Sequence, residues 1–418
     1  LTLEDCLRIG IDNNLSLEGK RKEIQKSKYG VSENRSKLLP QINAIAGYNN
    51  NFDPPVSVTD GSSYGVPYNI TKTLQHSANA GLEMQMPLFN QTLYTSMSIA
   101  KVMEEISRLS YGKAREDVIL QISKMYYLGQ VTAEQIMLIK ANITRLEELR
   151  DITQAFFDNG MSMEVDLKRV NINLENLKVQ YDNAQAMMKQ QLNMLKYIMD
   201  YPAEKEIALT PVNTDSITTV ALTGLSENIY ELQLSQSQVQ LAERQKKIIT
   251  NGYIPSLSLT GSWRYAAYTD KGYHWFHSGP SNQWFRSYGV GLTLRIPIFD
   301  GLDKTYKIKK AMIDIENKRL AWEDARKNLQ TQYLNAVNDL MNNQRNFKKQ
   351  KDNYLLAEDV YAVTSDRYRE GIASMTEVLQ DEMQMSEAQN NYISAHYNYR
   401  VTNLMLLKLT GQIESLVK

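Results

Sequence analysis

The side chains that could do chemistry are few and scattered. Two carboxylates sit at matching places: Asp166 lies six residues after Gly160, and Glu377 lies six after Gly371, with Glu164 and Asp381 close by. Acidic groups so placed attract cations, and in a helical first turn they also complement the helix dipole. His274 and His277 stand among Tyr268, Tyr273, Trp275 and Phe276 in 266–283. An aromatic girdle and external loop accounts for that cluster better than a metal site does. The pairs Met161/Met163 and Met383/Met385 have soft sulfur donors, but methionine at helical spacing is usually packing. Cys6 is the one cysteine, so an internal disulfide framework and a cysteine-based zinc site are excluded. It reads as a small apolar residue on a helix face rather than a lipid anchor. No nucleotide-binding, serine-triad or zinc-protease pattern occurs, so no enzyme, no cofactor and no metal are expected, and energy must come from a partner. With 47 basic and 47 acidic side chains in 418 residues, nothing draws the chain toward nucleic acid.

The elements that position these residues are set by where the breakers are. All ten prolines fall at 40, 54, 55, 67, 87, 202, 211, 255, 280 and 297, leaving 88–201 and 298–418 free of them. Within those stretches Ile99, Val102, Ile106 and Leu109, and then Ile136, Ile139, Ile143, Leu146 and Leu149, recur at three- and four-residue steps. That is an amphipathic, coiled-coil-like pattern. It predicts a helix over 91–158, about 100 Å long at ~1.5 Å per residue, a break at Asp158-Asn159-Gly160, and a helix over 162–200. The later half predicts helices over 302–369 and 374–410 around Glu370-Gly371. Helices over 2–37 and 225–250 precede the two sets of strands. Two short helices end to end match the length of one long one, so each chain contributes four columns.

The layout occurs twice. Leu39-Pro40-Gln41-Ile42 is echoed by Ile254-Pro255-Ser256-Leu257, and Met86-Pro87-Leu88-Phe89-Asn90 by Ile296-Pro297-Ile298-Phe299-Asp300, at a nearly constant offset of about 210–215 residues. This predicts a first repeat over 1–210, a linker over 211–224, a second repeat over 225–411 and a C-terminal tail over 412–418. Strands with a period of two are predicted at 41–49, 78–88, 256–265 and 284–296. Ala78, Ala80, Leu82, Met84, Met86 and Leu88 share one face, opposite Asn79, Gly81, Glu83 and Gln85. In 284–296 Arg286 is the one charge on the apolar side. Their length suits tilted strands crossing a bilayer, which places the barrel strands and external loops in 40–89 and 255–298. No run approaches the ~20 apolar residues of a spanning helix. Four strands cannot close a barrel, and open edges are not tolerated in hydrocarbon, so several chains must pool strands with cyclic symmetry. Three chains give 12 strands and 12 helical columns. The chain begins at Leu1 without an initiator Met, consistent with a removed signal peptide or a trimmed end.

In these features the chain resembles the TolC-type outer-membrane factors, over nearly all of 1–411. The resemblance is carried by Ile11-Asp12-Asn13-Asn14-Leu15, the paired strand starts and strand ends quoted above, and the tips Phe157-Asp158-Asn159-Gly160 and Tyr368-Arg369-Glu370-Gly371. It implies an α+β membrane protein: a homotrimer whose 12-stranded barrel sits in Gram-negative outer-membrane lipid and continues as a periplasmic α-barrel. It implies a passive exit duct of efflux or type I secretion, served by a periplasmic adaptor and an inner-membrane pump of the RND or ABC type. It also implies an acidic constriction, carried here by Glu377, with Asp381 and Asp166 as further candidates. The next family position after Glu377 is Gln380, a departure from the pattern. Tyr368 fits a gate tyrosine, whereas the family's gate arginine falls on Ala373, leaving Arg367 or Arg369 to substitute. The tips Asn159, Gly160, Met161, Glu370, Gly371 and Ile372 are the expected adaptor contacts. The alternative is a coiled-coil structural or adhesion protein without a pore, which the alternating strands count against.

Overall fold

The computed structural model describes residues 1–211, 224–270 and 284–417. His274, His277 and most of the expected linker lie outside the described residues. The elements run α1 (Leu3–Asn13), α2 (Leu15–Ser36), β1 (Gln41–Asn50), β2 (Val56–Asp60), β3 (Tyr68–Lys72), β4 (His76–Phe89), α3 (Gln91–Asp158), α4 (Glu164–Met199), α5 (Tyr230–Asn251), β5 (Ser256–Thr269), β6 (Trp284–Arg295), α6 (Asp303–Arg369) and α7 (Met375–Leu409). The chain forms two compact units, each drawing on both halves of the sequence: Leu1–Ile24, Ile106–Ser237 and Arg319–Lys418 in one, Gln25–Glu105 and Gln238–Lys318 in the other.

The second unit holds an antiparallel sheet in the order β1-β4-β5-β6. Its register joins the apolar positions of all four strands on one face. Ala44 faces Leu82, Leu82 faces Trp263, and Trp263 faces Tyr288; Met86 faces Leu259, which faces Leu292. The other face joins Asn43, Glu83, Ser262 and Gly289, and there Arg264 bonds Glu83. Arg286, the exception on the apolar face, lies opposite Tyr265 and places its guanidinium over the Tyr288 ring at 5.8 Å. Gly81 is required here because a Cβ would collide with the Trp263 carbonyl and the Arg264 backbone. The hairpin β2–β3 forms a second, two-stranded sheet that was not expected. Five-residue strands flanked by glycine and proline give too short an alternation to stand out.

In the first unit one correction concerns the expected helix over 2–37. It breaks at Asn14, whose ψ of 118° leaves the helical region. The Asn14 carboxamide accepts from Leu17 N at 3.1 Å and donates to the Ile198 carbonyl at 2.7 Å. The side chain thus caps α2 while pinning it to the end of α4, the competition with helical bonding that asparagine offers. Helix α5 also starts later than expected. The residues before it are held elsewhere: Gly224 N donates to Tyr333 Oη and Ser226 N to the Leu409 carbonyl. Cys6, Leu7, Ile119, Ile122, Leu195, Met199, Leu404 and Leu406 form the core of the unit. Cys6 is packed there as an apolar residue, and burial pushes its thiol up to about 11. The segment expected as a tail forms a 3-10 turn, Ile413–Val417, with Ile413 fully buried.

Ion pairs fasten that turn and its neighbours to α3: Arg115 to Glu414 at 2.5 Å, Lys408 to Asp117 at 2.5 Å, and Lys113 to Glu231 at 3.0 Å. Among them Glu116 is 4% exposed, and burial pushes its carboxyl up to about 7 against the pull of Lys408. The folded state therefore holds the Glu116 proton more tightly than the unfolded chain does. Its contribution to stability is intact at pH 4.5 and falls as pH rises toward 7, with the full cost present above that. Glu116→Gln should raise the melting temperature at pH 8 and change it little at pH 4.5. Thermal melts of both proteins at the two pH values check this, and equal shifts at both would exclude a buried titrating carboxyl.

Candidate gate and docking tips

The two tips are built alike. After α3, Met161 N donates to the Phe156 carbonyl at 2.8 Å and Gly160 N to that of Phe157 at 2.9 Å. After α6, Ile372 N donates to the Arg367 carbonyl at 2.8 Å and Gly371 N to that of Tyr368 at 2.9 Å. Both are Schellman closures, and their glycines take φ of 72° and 73°, where a side chain is penalised. Asn159 and Glu370 are exposed, as are Met161 at 68% and Ile372 at 63%. The methionine pairs do not share one environment. Met163 and Met383 are exposed, whereas Met385 is fully buried with its sulfur 3.8 Å from the Arg145 guanidinium.

The acids at matching positions differ in what holds them. Glu377 is the third residue of a capping box: its Oε2 accepts from Ser374 N at 2.9 Å, and its own N donates to Ser374 Oγ at 3.3 Å. Asp166 has Met163 as its N-cap, which supplies no side-chain bond. Its carboxylate instead takes Arg169 at 3.2 Å, and Arg169 reaches Thr376 Oγ1 at 3.5 Å. Asp381 is half-buried on α7, and Glu164 pairs with Lys168 at 2.8 Å.

Tyr368 is buried. Its hydroxyl lies 3.2 Å from Thr153 Oγ1, which itself donates to the Leu149 carbonyl at 2.7 Å, so the tyrosine is the donor. The ring packs on Phe156 at 5.6 Å, and burial raises the phenol above its usual range. Of the two candidate arginines, Arg369 reaches α3, at 3.5 Å from Glu148, while it also pairs with Asp366 at 3.3 Å. Arg367 is exposed, and only its carbonyl serves the tip. Ala373, at the family's arginine position, packs against the apolar cluster around Tyr368.

Sequence reasoning missed a line of buried polar residues on α7. Glu382, Gln389, His396, Asn403 and Thr410 are spaced by seven and all buried, His396 completely. Three of them meet polar groups of α3. Gln389 and Asn142 exchange bonds of 2.7 and 3.4 Å, His396 Nδ1 lies 3.4 Å from Glu134 Oε2, and Glu382 lies in the field of Arg145. Tyr392 donates to Glu134 Oε1 at 2.9 Å, and burial with that carboxylate pushes its phenol well up. Burial likewise holds the Glu382 carboxyl above the usual range. Arg145 also bonds Asn142, pairs with Glu358 at 3.4 Å and stands over the Tyr361 ring at 5.9 Å. A cavity of about 220 Å³ opens there, lined by Arg145, Glu148, Glu358, Tyr361 and Arg369 among others. A signal was present: Glu382 interrupts the apolar series Met375, Val378, Leu379, Met385. A carboxylate in a buried seam needs a partner.

This arrangement joins α3 to α7 by polar pairs along the length of α7, and Arg145 and Arg369 add links between α3 and α6. Solved structures share the fold across nearly the whole chain. CusC, studied for changes accompanying folding and transmembrane channel formation, matches with a TM-score of 0.81 at 15% identity, covering 98% of this chain and 91% of its own. The outer membrane protein VceC of Vibrio cholerae matches at 0.78 and 14%, covering 98% and 96%. The outer membrane protein TolC of Vibrio cholerae is 21% identical over 399 residues, 92% of this chain and 84% of that protein. Residues 9–199 and 221–412 match the family described as outer membrane efflux protein. The chain belongs to that family, as an outer-membrane exit duct with its helical tunnel in the periplasm.

Proposed function

We propose that three copies pool their strands into a 12-stranded barrel and their helices into the tunnel, and that the duct is passive, fed by an inner-membrane RND or ABC pump through a periplasmic adaptor. The observation that carries this reading is the sheet itself. It is two-faced, apolar on one side and polar on the other, and β1 and β6 end it as unpaired edges. In hydrocarbon such edges must find partners, and second and third copies of the same chain supply them by symmetry. The polar face, with Asn43, Glu83, Thr260 and Ser262, then lines the lumen. The helices support the same assembly: Tyr306, Ile313, Leu320, Leu334, Met341 and Leu355 fall at multiples of seven along α6 and remain exposed in the single chain. A sustained heptad stripe of this kind is what a neighbouring helix packs against. The two halves of the chain are read as copies of one ancestral unit, over 1–210 and 225–411. The glycine tips, with Met161 and Ile372 exposed, are read as the adaptor contacts. Conductance of the purified protein in planar bilayers tests the duct; a water-soluble, non-conducting chain would instead fit the structural coiled coil.

The barrel orientation makes a two-sided expectation. Leu82→Arg puts a charge on the lipid face near the middle of β4 and should cost about 2–4 kcal/mol, seen as loss of heat-stable trimer on gels. Thr293→Arg, on the polar face, should assemble normally. Equal loss from both variants would reverse or abolish the assigned faces.

Glu377 is read as the main acid of the periplasmic constriction, with Asp381 and Asp166 contributing less, and Tyr368 as part of the gate. Glutamine also serves at the third position of a capping box, so Glu377→Gln removes the charge and keeps the cap. In a salt gradient the wild type should be cation-selective, as acidic rings make channels. The variant's reversal potential should move toward zero, whereas Asp166→Asn should move it less. An unchanged reversal potential in Glu377→Gln would leave this residue as a cap alone.

A further inference from the structure

In the second unit, α2, α3, α5 and α6 all meet the sheet at the same end of its strands. Just there the exposed surface is strongly apolar and aromatic. Ile298 is 93% exposed and Phe299 81%, with Leu39, Tyr253, Leu302 and Tyr306 also exposed. Immediately beyond this belt the helix ends are basic. Arg35 and Lys37 close α2, Arg244, Lys246 and Lys247 lie in the last turns of α5, and Lys304, Lys307, Lys309 and Lys310 open α6. These nine cations stand against four carboxylates in the same stretches, Glu33, Glu243, Asp300 and Asp303.

Three of these carboxylates are already committed to neighbouring lysines: Glu33 to Lys37 at 3.7 Å, Asp300 to Lys304 at 2.8 Å and Asp303 to Lys307 at 2.7 Å. Lys304 and Lys309 also stand over the rings of Tyr253 and Tyr306, at 5.1 and 5.7 Å. Arg35, Arg244, Lys246, Lys247 and Lys310 make no ion pair among the described residues. The other end of the sheet has the opposite balance: Asp53, Asp60 and Asp270 against Lys72, among the described residues. An aromatic belt followed within two helical turns by unpaired cations matches the order of a membrane interface, hydrocarbon first and headgroup phosphate next.

We propose that these helix ends form a collar that binds anionic phospholipid headgroups of the phosphatidylglycerol class in the periplasmic leaflet of the outer membrane. The collar rests on the barrel reading, since only a membrane-spanning sheet brings this belt to the headgroups. Its occupant is lipid rather than a soluble anion because the cations continue from a lipid-facing apolar belt and are spread over three helix ends, with no enclosed pocket. Each lysine or arginine near an anionic surface adds to the attraction, and the effect fades with salt.

The test uses the full chain reconstituted in phosphatidylcholine vesicles with spin-labelled lipid probes. Labelled phosphatidylglycerol should associate at least about threefold more strongly than labelled phosphatidylcholine at low salt. The triple variant Arg35→Gln, Lys247→Gln, Lys310→Gln should lose most of that preference, and Lys72→Gln at the other end should keep it. Equal association of the two probes with the wild type would overturn the collar, as would an unchanged preference in the triple variant. Inorganic phosphate that removes the preference when chloride of equal ionic strength does not would also overturn it, in favour of a free-anion site. A chain that inserts without lipid preference removes the collar alone. A chain that fails to insert removes the duct reading along with it.

Discussion

An unpaired strand edge in hydrocarbon is the constraint to which the rest of this chain answers. Every backbone N–H and C=O at membrane depth needs a partner, since no water is there to supply one. The register pairs the inner strands on both sides over most of their length: β4 is bonded to β1 and β5, and β5 to β4 and β6. Among the described residues the outer edges of β1 and β6 have no partner strand. Proline and charge are the usual protections of an edge meant to stay alone. β1 carries neither over 41–50, and β6 has no proline but carries Arg286 and Arg295. β1 is thus an edge left open for pairing. The helices follow from that choice, because each strand of the sheet runs on through proline or asparagine into a helix of the same column.

Away from the sheet the governing period changes from two to seven. Tyr333, Leu340, Phe347, Tyr354, Tyr361 and Tyr368 mark every second turn of α6 on its inner face. Two of them meet α7 through rings: Phe347 stacks on Tyr392 and Tyr399 at 5.8 Å each, and Tyr354 on Tyr392 at 5.7 Å. The same period on α7 carries Glu382, Gln389, His396 and Asn403. A buried polar residue at one heptad position costs stability but fixes register, because a shift by one turn leaves it without its partner. Gln389 against Asn142 is such a pair, with both amides bonded both ways.

The sequence made some of this legible and hid the rest for physical reasons. The four long strands, α3, α6 and both tips were readable because one local rule decides each: a period of two, a long stretch without breakers, a glycine at positive φ. The family followed from the order of those elements. The break at Asn14 was not readable, because it depends on a bond to Ile198, distant in sequence. The sequence left Arg367 and Arg369 as alternatives beside Ala373, without naming a partner for either; the contact of Arg369 with Glu148 joins residues distant in the chain. Glu382 was overlooked although its place in an apolar series was visible. Glu382 shares a helix face with Met375 and Met385, and an acid on that face is the one that packing buries.

The two kinds of contact in the first unit differ in strength. Between α6 and α7 the layers are aromatic, each burying apolar area worth about 1.5–3 kcal/mol and adding ring stacking. Between α3 and α7 the contacts include amide, carboxylate and phenol pairs, and a net hydrogen bond contributes only about 0.5–1.5 kcal/mol. Such pairs also tolerate separation better than apolar layers do, because water can replace the lost partner once the seam opens. The Tyr368 hydroxyl on Thr153 and Arg369 on Glu148 are links of the same replaceable kind, between α6 and α3. Apolar packing also runs between α3 and α7, where Leu146 and Leu149 join Val378, Leu379 and Met385 in one buried cluster. The seam between α3 and α7 is therefore mixed: polar pairs set its register, and apolar side chains supply most of its attraction.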